Sequence, residues 1–263
     1  MTTSQPPAID AAPGVDADEL ARHIAEMHHE AVQDLHFHTG RGLAEALGYP
    51  ADLLARLPVR AVSSFAGVGY HLDLANAGER VLDLGCGSGT EVFAAAVAVG
   101  PQGSVTGVDI TPEQLVKAER LRRDEHVTFR HARIEELPFD DASFDVVISN
   151  GVANLSADKS AVFAEAARVL RPGGRLALAD IVTQRAIATR TAAQPDLWAA
   201  CIAGASQRDR YLQDIAAAGL ELRTIRTNPA YRFASDRAQR TSDKYGAHTI
   251  ELLAVKPTAE ISR

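Results

Sequence analysis

The chain has 263 residues and a formal net charge of −7, and its 27 Lys and Arg residues are scattered. This distribution argues against nucleic acid as a partner. The only two cysteines, Cys86 and Cys201, exclude a disulfide framework and form no zinc motif. We expect a soluble, cytoplasmic protein with no membrane partner, because no signal peptide and no run approaching ~20 apolar residues is present.

The N-terminal part of the chain predicts a tail followed by helices. Residues 1–17 are rich in Pro, Ala and Asp, which is typical of a disordered tail. From residue 18, apolar side chains recur every three or four positions and indicate an amphipathic helix. They are Leu20, Ile24, Met27, Ala31 and Leu35. Short helices are also predicted before Gly48 and within PADLLARLP. We therefore predict a helical lid over residues 18–79.

From Arg80 onward, short runs of Val, Ile and Leu alternate with helical segments. The runs are RVLDLG, SVTGVDI, VTFRHARI, FDVVISN, RLALADIV, LELRTIR and IELLAVK. Strands that alternate with helices predict an α/β fold with a parallel sheet and right-handed crossovers. We assign this domain to residues 80–257 and a loose tail to 258–263.

The first strand leads into a glycine-rich loop, VLDLGCGSGT, with glycines at 85, 87 and 89. Such glycines let the chain turn sharply and let backbone amides approach a ligand. The spacing differs from the G-x-G-x-x-G dinucleotide motif, which disfavours a bound pyrophosphate. Asp109 ends the second strand, where a carboxylate accepts hydrogen bonds from ribose hydroxyls or, alternatively, stabilises the start of the next helix. The loop and Asp109 together favour ribose binding.

Four segments in order resemble the motifs of class I S-adenosylmethionine-dependent methyltransferases. They are VLDLGCGSGT, VTGVDITPEQLVKAE, IEELPFDDASFDVVISN and EAARVLRPGGRLALADI. The resemblance covers roughly residues 80–182. It implies a doubly wound, Rossmann-like sheet of seven mostly parallel strands, S-adenosylmethionine as cofactor and a small-molecule substrate.

This resemblance also implies which residues bind the cofactor. The positions are Asp83, Gly85, Cys86, Gly87, Gly89, Asp109, Ile110, Ile134, Glu135 and Asn150. Asp83 and the glycine loop would hold the methionine part, and Asp109 the ribose. Ile110 and the Ile134–Glu135 region would lie at the adenine, and Asn150 would face the sulfonium. Arg133 stands where many members carry an acid.

A finer resemblance points to the arsenite methyltransferase branch, through SSFAGVGY, VVISNGVANLSADKSAVFAEAARVLRPGG and LWAACIAGA. It places Cys201 on a metalloid-ligand position. Val68 and Gly151 replace two other expected thiolates, and the N-terminal cysteine pair of that branch is absent. Because soft metalloids need several sulfur ligands, we expect a small organic acceptor and keep arsenite as an alternative.

Candidate acceptor and catalytic residues follow from this interpretation. The predicted acceptor pocket comprises Phe65, Val68, Tyr70, Gly151, Trp198 and Cys201, although core packing is the alternative for the aromatic residues. His36 and His38 are candidate general bases if their segment covers the pocket. Cys201 either contacts the acceptor or packs in the core. No metal site is predicted, because no nearby acid completes one with the N-terminal histidines.

Two other function classes remain open at this point. One is an NAD-dependent oxidoreductase, which the glycine spacing opposes. The other is a cofactor-binding protein of the methyltransferase fold that performs no methyl transfer, such as a cyclase-like or regulatory relative.

Overall fold

The computed structural model describes residues 39–70, 75–188, 191, 201–233 and 235–258. The predicted tail, the first lid helix and the following residues His36 and His38 lie outside the described residues, as do Trp198 and residues 259–263. Within the described ranges, no helix is long and apolar enough to cross a membrane.

Among the described residues, three short helices precede the sheet. They are α1 (Arg41–Leu47), α2 (Ala51–Arg56) and α3 (Val59–Ser63). The first two confirm the short helices predicted there, and the third was not predicted. Helix α1 ends because Gly48 adopts a left-handed conformation, with φ of 106°, and its N–H bonds back to the last turn. Pro50 then lies directly before α2, where its missing N–H costs no helical hydrogen bond.

Seven strands form one sheet. They are β1 (Arg80–Leu84), β2 (Ser104–Asp109), β3 (Val127–His131), β4 (Phe144–Asn150), β5 (Leu170–Val182), β6 (Glu221–Thr227) and β7 (His248–Val255). Their order is β3-β2-β1-β4-β5-β7-β6, and β7 runs antiparallel to both of its neighbours. The predicted seven-stranded, mostly parallel, doubly wound sheet is therefore confirmed.

Within the part of the chain that the structure describes, five longer helices accompany the sheet. They are α4 (Thr90–Val99), α5 (Pro112–Leu121), α6 (Lys159–Val169), α7 (Arg208–Ala217) and α8 (Asp236–Tyr245). Strand β1 is buried on both faces, as expected for a central parallel strand. Leu82 and Leu84 belong to the same core cluster as α6 and α7, whereas Val81 belongs to the cluster that contains α4 and the N-terminal helices.

Strand β5 differs most from its predicted extent. Strand β5 begins at Leu170 rather than at Arg175. Leu170 pairs with Phe144, and a register shift between Phe144 and Val146 accommodates the intervening Pro and Gly residues.

The strand order positions the site. Strand β1 lies between β2 and β4, so the chain after β1 and the chain after β4 leave the sheet toward opposite sides. A crevice forms at such a switch point, beyond the carboxyl ends of the strands.

Candidate functional site

A cavity lies at the carboxyl ends of β1, β2 and β4. It is lined by the segment before β1, by the glycine loop after β1, by residues that follow β2, β3 and β4, and by Cys201. The predicted cofactor residues that line it are Asp83, Gly85, Cys86, Gly87, Asp109, Ile110, Ile134, Glu135 and Asn150. Gly89 is not among the lining residues. It directly precedes α4 and has a φ of 92°. Glycine is favoured there because the start of that helix requires a left-handed backbone conformation.

The glycine loop folds against β2. The amides of Gly85 and Cys86 donate to the Val108 carbonyl at 2.8 and 2.9 Å. A Cβ at Gly85 would overlap the Val152 side chain, whereas one at Gly87 would meet no heavy atom within 4 Å. Gly87 therefore exposes open backbone on the cavity wall, as a loop that approaches a ligand requires.

Asp109 fixes this loop. One carboxylate oxygen accepts from the Gly87 amide at 2.8 Å, and the other accepts from the Thr111 amide at 2.8 Å. Thr111 directly precedes α5. Asp109 thus orders both the loop and the start of the next helix while it lines the cavity, and its contact with a ribose stays a prediction.

The cavity end beneath the loop is acidic. Asp83 is only 2% exposed, and burial raises the pKa of its carboxyl well above the usual value, with further contributions from the negative charges of Glu91 and Asp109. Glu91 also lines the cavity and is 6% exposed. The sequence analysis did not single out Glu91. Its place at the second position of α4, directly after the loop, is nevertheless a sequence signal for a site residue.

Tyr49 and Asn150 hold the Glu91 carboxylate. The Tyr49 hydroxyl donates to Glu91, and the Asn150 amide nitrogen donates to the same oxygen at 3.2 Å. Tyr49 is buried and packs edge-to-face against Phe65 and Tyr70, with ring centroids 5.0 and 4.6 Å away. Burial, followed by the charge of Glu91, raises the Tyr49 pKa, so its hydroxyl stays a donor.

Asn150 also connects β4 to the segment that precedes β1. Its side-chain oxygen accepts from the Val68 amide at 2.7 Å, and its nitrogen donates to the Gly69 carbonyl at 2.9 Å. Glu251 accepts from the next amide, that of Tyr70, at 2.8 Å. Of the predicted pocket residues in this segment, Phe65 lines the cavity, whereas Val68 and Tyr70 are not among its lining residues.

The structure brings together the three positions that the resemblance links to metalloid ligands. The Cys201 thiol donates to the Gly151 carbonyl at 3.6 Å. A Cβ at Gly151 would lie 3.2 Å from a Val68 methyl group. Val68 and Cys201 share an apolar cluster, and burial followed by the charge of Asp180 raises the Cys201 pKa to about 12. Only one of these three positions carries sulfur, and its thiol is protonated at neutral pH.

The predicted adenine residues also line the cavity. Ile110 and Ile134 supply apolar surface there. Arg133 forms an ion pair with Glu135, with Nε and Oε2 3.7 Å apart, and the Ser156 hydroxyl donates to Glu135. The other cysteine, Cys86, is buried in the cavity wall, and burial raises its pKa well above the usual value. This thiol is a packing group rather than a nucleophile.

Among the residues that the structure describes, no group of three or more His, Cys, Asp or Glu side chains is arranged to hold a metal ion.

Comparison with known proteins places the chain in a family. Residues 75–219, more than half of the chain, match the family model described as Methyltransferase domain. An arsenite methyltransferase from Halobacterium salinarum is 43% identical over 185 residues, which are 68% of this chain and 46% of the relative. A 27-O-demethylrifamycin SV methyltransferase from Amycolatopsis mediterranei is 43% identical over 110 residues, 40% of either chain. The chain thus spans about half the length, or less, of these curated relatives.

A solved structure shares the fold. The crystal structure of an arsenic(III) S-adenosylmethionine methyltransferase from Chlamydomonas reinhardtii superposes with a TM-score of 0.64 at 29% identity. The match covers 85% of this chain and 76% of the other. The chain therefore belongs to the methyltransferase domain family, and the predicted class, the S-adenosylmethionine-dependent methyltransferases, is confirmed.

Proposed function

We propose that this chain transfers a methyl group from S-adenosylmethionine to a small organic acceptor. The observation that carries the proposal is one cavity with two different ends. Beneath the glycine loop it is walled by carboxylates, and near Gly151 and Cys201 it is apolar and contains a single protonated thiol.

The residues present fit the cofactor. Gly87 leaves its backbone open toward the cavity, and Ile110 and Ile134 offer apolar surface to a base. Asp83 and Glu91 are buried carboxylates, which favour a cationic ligand. When bound, S-adenosylmethionine supplies a methyl group that a positively charged sulfur already activates.

The contribution of the protein is then to orient the reactants and to exclude water. Phe65, Val152 and Leu155 provide apolar parts of the cavity wall. Holding a nucleophile against the methyl carbon in such a site supplies most of the rate enhancement that a displacement of this kind needs. None of the described lining residues is a histidine. His36 and His38 therefore stay the predicted general bases for an acceptor that must lose a proton.

Arsenite is the second candidate, because several similar proteins are named arsenite methyltransferases. The side chains at the relevant positions favour the organic acceptor. Trivalent arsenic is bound by several thiolates. Here Val68 and Gly151 occupy two of the three neighbouring positions, and the remaining thiol, that of Cys201, has its pKa raised to about 12 by burial.

Release of S-adenosylhomocysteine tests the proposal. The purified protein is incubated with S-adenosylmethionine and, in separate reactions, with a panel of small hydroxylated, amine and carbon-acid compounds or with arsenite. We expect turnover with at least one organic class and negligible turnover with arsenite. Arg223→Ala, which removes an exposed surface ion pair, is the matched control and should leave turnover unchanged. Turnover with arsenite alone would contradict the proposal.

A further inference from the structure

We infer that Glu91 is the carboxylate that recognises the positively charged sulfur of the cofactor, so that it favours S-adenosylmethionine over the uncharged thioether product. This inference rests on the proposed function. It concerns a residue that the family motifs in the sequence did not single out.

The first argument is position. Glu91 is the second residue of α4, directly beyond the glycine loop, and its side chain lies in the cavity wall. Its hydrogen-bond partner Asn150 ends β4 and borders Gly67, since a Cβ at Gly67 would approach the Asn150 amide nitrogen to 2.6 Å. Glu91 therefore stands where the glycine loop, the end of β4 and the segment before β1 meet.

The second argument is orientation. The same Glu91 oxygen accepts from the Tyr49 hydroxyl and from the Asn150 amide nitrogen. Tyr49 is fixed between two aromatic rings, and Asn150 is fixed by two backbone groups of the segment before β1. Because both donors are themselves anchored, the carboxylate is held in place before any ligand binds, which lowers the cost of ordering it.

The third argument is charge. Glu91 and Asp83 are both buried at this end of the cavity, and the charge of Glu91 is one cause of the raised Asp83 pKa. A cationic ligand offsets this repulsion. S-adenosylmethionine carries two cations, an α-ammonium and a sulfonium, whereas S-adenosylhomocysteine retains only the ammonium. Since the resemblance gives Asp83 to the methionine part and faces Asn150 toward the sulfonium, we assign the carboxylate beside Asn150, that of Glu91, to the sulfonium.

Isothermal titration calorimetry with S-adenosylmethionine and with S-adenosylhomocysteine tests whether Glu91 recognises the sulfonium while Asp83 recognises the ammonium. In Glu91→Gln, which keeps the shape and removes the charge, we expect affinity for S-adenosylmethionine to fall about tenfold, equivalent to ~1.4 kcal/mol. Affinity for S-adenosylhomocysteine should change less than about twofold, because that ligand has no charge at sulfur. Asp83→Asn is the matched control and should weaken both ligands, since both carry the ammonium.

Each outcome has a distinct meaning. Equal losses for the two ligands in Glu91→Gln, or no loss for either, would overturn the inference while leaving the proposed function intact. Binding of neither ligand by the unmodified protein would refute the proposed function itself. Should Glu91→Gln fail to fold, Tyr49→Phe tests the same contact, because it removes the hydroxyl that orients the carboxylate. The affinity ratio should then fall in the same direction by a smaller factor, and an unchanged ratio would overturn the inference.

Discussion

Asp109 combines two functions in a single side chain. Its oxygens bind the amides of Gly87 and Thr111, and it also faces the cavity. Asp109→Ala should therefore weaken S-adenosylmethionine binding by ~1 to 3 kcal/mol, because the ribose loses a charged acceptor and the loop loses its anchor.

Calorimetry measures this effect, and Asp109→Asn, which retains one acceptor oxygen, should show a smaller loss. Unchanged affinity in Asp109→Ala would mean that the cofactor is bound elsewhere.

Substitutions at two neighbouring glycines should affect different properties, cofactor binding at Gly87 and folding stability at Gly85. Gly87→Ala places a methyl group in open space on the cavity wall, so the protein should fold, with about 1 kcal/mol lost to its positive φ, and bind cofactor weakly. Gly85→Ala instead overlaps Val152 and should lower the free energy of unfolding by a further ~1 to 3 kcal/mol.

Chemical denaturation together with calorimetry separates the two variants. Normal cofactor affinity in Gly87→Ala would show that the loop backbone does not approach the ligand.

At the scale of secondary-structure elements, Asp180 joins three parts of the fold. It lies in β5, accepts from the Tyr211 hydroxyl of α7 at 2.8 Å, and accepts from the Asn154 amide at 3.1 Å. Despite these hydrogen bonds, burial raises its pKa to about 6. In the unfolded chain an aspartate titrates near ~3.9. The folded state therefore binds the proton more tightly than the unfolded chain does. The stability that this protonation contributes is lost as pH rises from about 4 to about 6.

The pH dependence of unfolding checks the direction of this effect on stability. The free energy of unfolding of the unmodified protein, relative to that of Asp180→Asn, should fall by up to ~2 to 3 kcal/mol as pH rises through this window. A difference that is constant with pH would show that Asp180 titrates normally.

The strands and the glycine loop were predictable because their signals are local. Alternating apolar runs located all seven strands, and the spacing of Gly85 and Gly87 marked the loop. The partners Tyr49, Glu91 and Asn150 were not predictable as a group, since the contacts that join them span 42 to 101 positions of sequence. Tertiary hydrogen bonds of this kind leave no periodic pattern.

At the scale of the whole molecule, the motifs describe the part of the cavity that we propose for the cofactor but not the part that we propose for the acceptor. The proposed acceptor end is formed by Phe65, Gly151 and Cys201, which line the cavity and come from three separate segments. The residue types at these positions, rather than the sheet, therefore determine which acceptor can bind there. The lid, the domain boundaries and the cytoplasmic location stay predictions.

The destination of the methyl group tests the central claim most directly. The protein is incubated with methyl-labelled S-adenosylmethionine in the presence of both arsenite and the organic panel, and the label is traced by chromatography and mass spectrometry. Because the resemblance places several thiolates where this chain has a single protonated thiol, that of Cys201, we expect the label in an organic product and negligible methylated arsenic. Label found predominantly in methylated arsenic would contradict the claim and make arsenite the substrate.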